Sequence, residues 1–557
     1  MRLVSPRLAT PLVLALLASA PALADHDHHH AADEALGKIH FPISCQPAQQ
    51  AAFDRGVALL HSFGYERAEA AFDAVAAADP ACGMALWGVA MSNYHQIWGP
   101  PTDAEFARGQ AAAKRAVEVG ARSARDRDWI AAAAAFYVEP QPRPHVERVA
   151  AYERAMAELA ARYPDDDEAQ IFRALALLSL AYNSPPDKTY ARQKQAAEIL
   201  NRLLPREPEH PGVAHYMIHS FDYPELATLA LPAARAYARI APASPHAQHM
   251  PSHIFTRLGL WRDSIASNLA SEETARRLTA TAHPGATSFD GLHAMDYLEY
   301  AYLQTARDDA ARGVVERTLA VTSLDQPTFS AGFALAAVPA RYALERRDWR
   351  SAADLVTSTV FPWEKFPPAE AIVRFARSVG AARSGDLAAA RRELERLAAI
   401  ESALRGQKGF DWATQVEIER RAASAWIARA EKRDDEALAS LRTAADLEDS
   451  TDKHPVTPGA VLPAREQLAD LLAELGQSKA ALAEYERSLA SAPARYNSLV
   501  GAAQAADQIA EAARAADYYR RLAELCQGST GERARRAADR AREREATAAR
   551  GGSPKAP

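Results

Sequence analysis

β-Branched and aromatic side chains are sparse in this 557-residue chain, and alanine is abundant. No stretch of useful length alternates apolar and polar residues at the period of a strand, so the composition and the pattern both point to helix. Beyond the first 24 residues no apolar run is long enough to span a bilayer. A glycine-rich phosphate loop, a Cys-x-x-Cys-His haem attachment and an HExxH zinc motif are all absent. The formal charge of −6 gives no general reason to expect a nucleic-acid partner. Only three cysteines are present, Cys45, Cys82 and Cys526.

Residues 1–24 read as a secretory signal. Arg2 and Arg7 supply positive charge, Pro11 to Leu17 is apolar, and Ala22-Leu23-Ala24 offers small residues for cleavage. The expectation is therefore an exported protein, periplasmic or secreted, whose compartment permits disulfides. Cys45 and Cys82 flank the first helical hairpin and are placed to bridge; two free buried thiols are the alternative. Residues 25–44 form a His-rich, disordered N-terminus that opens with His26, His28, His29 and His30. Such a tract binds divalent metal loosely or is simply a solvated tail.

What the chain does have is histidine in one place. Eight of its 17 histidines lie between His210 and His293, where an even spread would put two or three. His215 and His219 are four apart, as are His249 and His253, and the second pair repeats the first after 34 residues. Pro208 and Pro242 are also 34 apart, and so are Ala196, Ala230 and Ser264.

The same period recurs elsewhere. From Gln49 to Cys82, Gly56, Ala68, Phe72 and Pro80 occupy the eighth, twentieth, twenty-fourth and thirty-second positions. Ala469, Ala481, Tyr485 and Pro493 do the same in 462–495, where Leu468 and Gly476 also fit the pattern. This pattern resembles the tetratricopeptide repeat, a 34-residue helix-turn-helix unit that stacks into a solenoid. The segments LLHSFGYERAEAAF, DPACGMALWGVAMS, HYMIHSFDYPELA and HMPSHIFTRLGLW resemble exported bacterial members of that family. The expected fold is an all-α, tetratricopeptide-repeat-like solenoid of antiparallel helical hairpins. The expected organisation is N-terminal repeats over 45–182, central His-rich repeats over 183–321 with units at 177–210, 211–244 and 245–278, further repeats over 322–450, C-terminal repeats over 451–527 and a charged, exposed tail over 528–557.

In that family the fifth, ninth, thirteenth, second and thirty-fourth positions line the concave groove. The resemblance therefore implies that His215, His219, His249 and His253 face one groove, with His61, His95, His246 and His210 lining it too. Positions four apart share a helix face, and helices of adjacent repeats lie about 8–10 Å apart, so two such pairs converge on one ion. Nitrogen-rich sites suit Cu or Zn, with Fe less favoured. His293 is a candidate extra ligand, as are His61 and His95. Asp222 and Asp296 are candidates to orient an imidazole from behind. Pro251 falls inside the second pair and is expected to distort it, leaving His215 and His219 the more regular half. Two readings follow: a groove holding a transition metal, for storage or for chemistry, and a non-enzymatic scaffold that captures a protein or peptide. Packed structural imidazoles are the plain alternative to both.

Overall fold

Helix follows helix from Gln50 to Gly551, each in contact with the next. A computed structural model describes residues 35–97, 99–137, 143–407 and 409–551. The signal-like segment, the tract at His26–His30, Trp98, part of the 139–144 connector and residues 552–557 lie outside the described residues. No β-strand occurs among the described residues; one isolated bridge joins Thr287 and Leu324.

The repeat pattern has a steric basis. Helices Gln50–His61 and Tyr65–Ala78 form the first hairpin, and Gly83–Ser92 packs on it. A Cβ on Gly56 would lie 2.7 Å from the Phe72 ring, and one on Gly88 would lie 2.3 Å from it. The ring therefore wedges between helices that only small residues allow to approach. The C-terminal repeats reuse the device: a Cβ on Gly501 would meet the Tyr485 ring at 2.1 Å, with the same 16-residue offset as Phe72 and Gly88. Cys45 and Cys82 are bridged, closing the N-terminal segment over this hairpin. Trp87, Tyr94 and Trp261 are buried core side chains.

The central region departs from an even 34-residue register. The unit expected at 177–210 is instead built from helices Asp167–Tyr182 and Ala191–Leu203. Asp166 sets the early start, because its carboxylate accepts from the Ala169 amide as an N-cap, and Ser184-Pro185-Pro186 follows the end. Unit 211–244 holds helices Pro211–Phe221 and Leu231–Ile240, with the 3-10 turn Ala227–Ala230 between them. In unit 245–278 the first helix is split into Pro245–His249 and Pro251–Arg257. The distortion expected from Pro251 is small: Met250 stays helical at φ −52°, ψ −36°, and its amide donates to the His246 carbonyl at 2.9 Å. Helices Trp261–Ala282 and Phe289–Gln304 complete this part.

The C-terminal repeats fold back onto the central ones, and this decides what the histidines face. Lys453 Nζ lies 3.2 Å from Asp222 Oδ2, and the Tyr297 hydroxyl donates to the Thr457 carbonyl at 2.9 Å. Segment 453–457 thus covers the face expected to be an open groove. Arg495 anchors the return. Fully buried, it donates to Glu466 through Nε (2.9 Å) and Nη2 (2.8 Å), to Glu345 (2.6 Å) and to the Tyr300 hydroxyl (2.8 Å). The tail also differs from a solvated face. In helix Glu532–Gly551, Ala534, Ala537 and Ala541 are buried at i, i+3 and i+7, while Arg533 pairs with Asp308 and Arg544 with Asp507.

Arg495→Met should therefore cost about 3–5 kcal/mol, because it strands two buried carboxylates. Thermal and urea unfolding of the variant check this; an unchanged midpoint would show that the return contact carries little stability.

Candidate metal centre

The histidines collect into three buried groups. His215, His219 and His246 form one trio, His249, His253 and His293 a second, and His61 and His210 flank Glu168 in a third. Within each group one ligand atom per residue lies within 4.8 Å of the others. All eight imidazoles are 0–7% exposed. His215–His219 and His249–His253 are thus each kept together but divided between trios. His246, expected only to line the groove, completes the first, and His293 completes the second.

Tautomers follow from what each ring touches. His215 Nδ1 lies 2.6 Å from the His61 carbonyl oxygen, which only accepts, so Nδ1 carries the hydrogen and Nε2 a lone pair. That Nε2 lies 3.1 Å from His219 Nε2 and 3.0 Å from His246 Nε2. One lone pair takes one hydrogen bond well, so at most one of those contacts is a good bond. His219 Nδ1 is buried with no hydrogen-bond partner.

The second trio is starker. His253 Nδ1 donates to Asp222 Oδ2 at 2.9 Å, and His249 Nδ1 donates to Asn268 Oδ1 at 2.7 Å. Asn268 Nδ2 donates to the Ser264 carbonyl, which fixes its amide with the oxygen toward His249. Both Nε2 atoms are then bare, and they face each other at 3.1 Å. Despite Pro251 this equals the His215–His219 spacing. His293 adds its ring 4.2 Å from that of His249, and its Nε2 is buried without a partner. Burial is the main force holding these imidazoles neutral. It pushes His215 down to about 3, and lowers His219, His246, His249 and His293 far below the usual range, with neighbouring imidazoles adding to it. For His253 burial outweighs the opposing pull of Asp222.

The donor spacing suits a cation. Tetrahedral ligands at about 2.0–2.1 Å from a metal stand roughly 3.3 Å apart, close to the nitrogen spacings here. Asp222 and Asn268 hold the His253 and His249 rings from behind, an arrangement that fixes tautomer and orientation and is also used at metal sites. Asp222 is itself held by Arg257 (2.9 Å) as well as Lys453, and the cations beside it keep its carboxyl well below the usual range although burial works the other way.

The third group does not have this character. The Tyr216 hydroxyl donates to His61 Nδ1 at 2.8 Å, and His61 Nε2 donates to Glu168 Oε2 at 3.0 Å. His210 Nε2 donates to Glu168 Oε1 at 3.0 Å, while His210 Nδ1 accepts from the Gly212 amide at 3.1 Å. Every ring nitrogen has a complementary partner. Burial would raise the Glu168 carboxyl, but His210 and His61 hold it far below the ordinary value. These residues brace the helix ends that present His215, whose Nδ1 rests on the His61 backbone.

Two expected site residues lie elsewhere. His95 packs against the Tyr65 ring at 4.5 Å and faces Glu105, away from both trios. Asp296 pairs with buried Arg341, which also reaches Glu299 one turn on, rather than with an imidazole. Sequence spacing gave no signal for Glu168, Asn268, Tyr297 or Lys453.

No protein-family model matches the chain, and no curated protein matches it. Among solved structures, yeast Tom70 aligns over 90% of this chain and 96% of its own, at 12% identity and a TM-score of 0.28. The APC/C hetero-tetramer Cut9–Hcn1 aligns over 89% of this chain and 83% of its own, at 10% identity and a TM-score of 0.33.

Two outcomes follow. Glu168→Gln should lower stability by about 1–3 kcal/mol, since one histidine N–H loses its acceptor, while leaving metal content unchanged; loss of metal would make Glu168 a ligand. In the ion-free chain, His215 is protonated below about pH 6.5 when unfolded but only near 3 when folded. The unfolded state therefore binds the extra proton in that window, and stability falls as the pH is lowered through it, by about 1.4 kcal/mol per unit from this residue alone. Urea melts at pH 7 and pH 5 measure it; equal midpoints would contradict the buried neutral assignment.

Proposed function

We propose that this chain is an exported helical solenoid that holds transition-metal ions on two three-histidine sites. One observation carries the reading: His249 and His253 each spend their only N–H on a fixed acceptor and turn bare Nε2 atoms on each other at 3.1 Å, fully buried. A hydrogen bond cannot fill that gap between neutral rings, and burial opposes protonating either one. The donor set is all nitrogen, which suits Cu or Zn, with Fe less favoured. Three protein ligands leave a coordination position free, so the sites are suited to holding an ion or to metal-dependent chemistry. An ion so held supplies Lewis acidity and acidifies a bound water.

Export is supported by the signal-like first 24 residues and by the Cys45–Cys82 bridge, a covalent feature of oxidising compartments. Capture of a protein or peptide on the histidine face would require displacing segment 453–457 from Asp222 and Tyr297. Among the described residues no helix is long and apolar enough to cross a membrane.

The test is elemental analysis of the untagged mature chain, lacking residues 25–31, after exposure to Cu or Zn and desalting. At least one equivalent should remain, and His215→Ala and His253→Ala should each lower it. Retention below about a tenth of an equivalent would refute metal holding, and unchanged content in both variants would place any ion elsewhere.

A further inference from the structure

The two trios are not separate in space. His246 and His249 sit one turn apart on helix Pro245–His249, and each serves a different trio. The His219 ring, in the first, is 6.4 Å from the His253 ring, in the second. The His246 ring is 4.8 Å from that of His215 and 6.5 Å from that of His219.

Charge sets the next constraint. Six neutral imidazoles contribute none. Among the described residues Asp222 is the carboxylate hydrogen-bonded to a trio ring, and its charge already answers Arg257 and Lys453. Two divalent ions this close repel strongly in a buried site, and among the described residues no second carboxylate is hydrogen-bonded to a trio ring to relieve it. Each trio, however, leaves an open coordination position. We propose that the two trios act as one two-ion site, in which a single small oxygen anion such as hydroxide spans two transition-metal ions. This rests on the metal-binding reading above. The ligand class is a small oxygen anion rather than a large organic substrate: the rings are walled by Phe63 over His215 (4.4 Å), Tyr237 stacked on His215 (5.1 Å) and Tyr297 against His249 (4.7 Å). Two-metal sites of this kind stabilise both oxygens of a displacement, or activate the bridging one as a nucleophile.

The probe is copper(II) sulfate, added to the full chain in which His26, His28, His29 and His30 are changed to Ser. Bound copper after desalting is compared with the electron paramagnetic resonance spin count. The pairing predicts about two coppers per chain with a spin count less than roughly half the copper, because bridged copper(II) ions couple. His293→Ala, checked for retained helix by circular dichroism, should leave about one copper with its full spin. Two coppers with two full spins would overturn the pairing while leaving metal holding intact. One copper in the parent chain, or coupled copper surviving His293→Ala, would also overturn it. Retention below about a tenth of an equivalent would remove the metal-binding reading and the pairing together.

Discussion

Where a histidine places its one hydrogen decides everything at this site. A neutral imidazole has one N–H and one lone pair, and the partner of the first fixes the direction of the second. Here the His61 carbonyl, the Asn268 amide oxygen and the Asp222 carboxylate take the hydrogens of His215, His249 and His253. The remaining lone pairs converge in a buried space where water cannot compensate them. The solenoid supplies the means: His61 and His215 come from hairpins 154 residues apart, and Asn268 from the helix behind His249.

That placement requires the chain to close on itself. Segment 453–457 lies over the histidine face through Lys453 and Tyr297, and Arg495 fastens the C-terminal repeats to helices Phe289–Gln304 and Phe329–Glu345. The helical stack thus covers its own histidine face at the central repeats. The buried environment that results keeps the imidazoles unprotonated and therefore able to ligate.

The sequence made much of this legible, because the period-34 recurrence of small residues and prolines reports how helices pack. Gly88 beneath Phe72 and Gly501 beneath Tyr485 show the physical origin of the pattern. The pairing of His215 with His219 follows from helix geometry alone. Three features were not readable. The N-cap at Asp166 shifts one unit out of register; Asp296 meets Arg341, a partner 45 residues away that no local spacing announces; and the covering segment depends on a long-range fold-back that leaves no local trace. The trios themselves, rather than two pairs on one ion, arise because His246 and His249 lie on one short helix and point to different neighbours.

The His61–Glu168–His210 group differs from the two trios: in the first each ring nitrogen meets its complement, whereas His249 and His253 turn bare Nε2 atoms on each other and the single lone pair of His215 Nε2 faces two further nitrogens. X-ray absorption on the zinc-loaded chain without the His26–His30 tract tests that distinction most directly. Imidazole multiple scattering and at least three nitrogens at about 2.0–2.1 Å per ion are predicted. A first shell of oxygen or sulfur, without the imidazole signature, would contradict it.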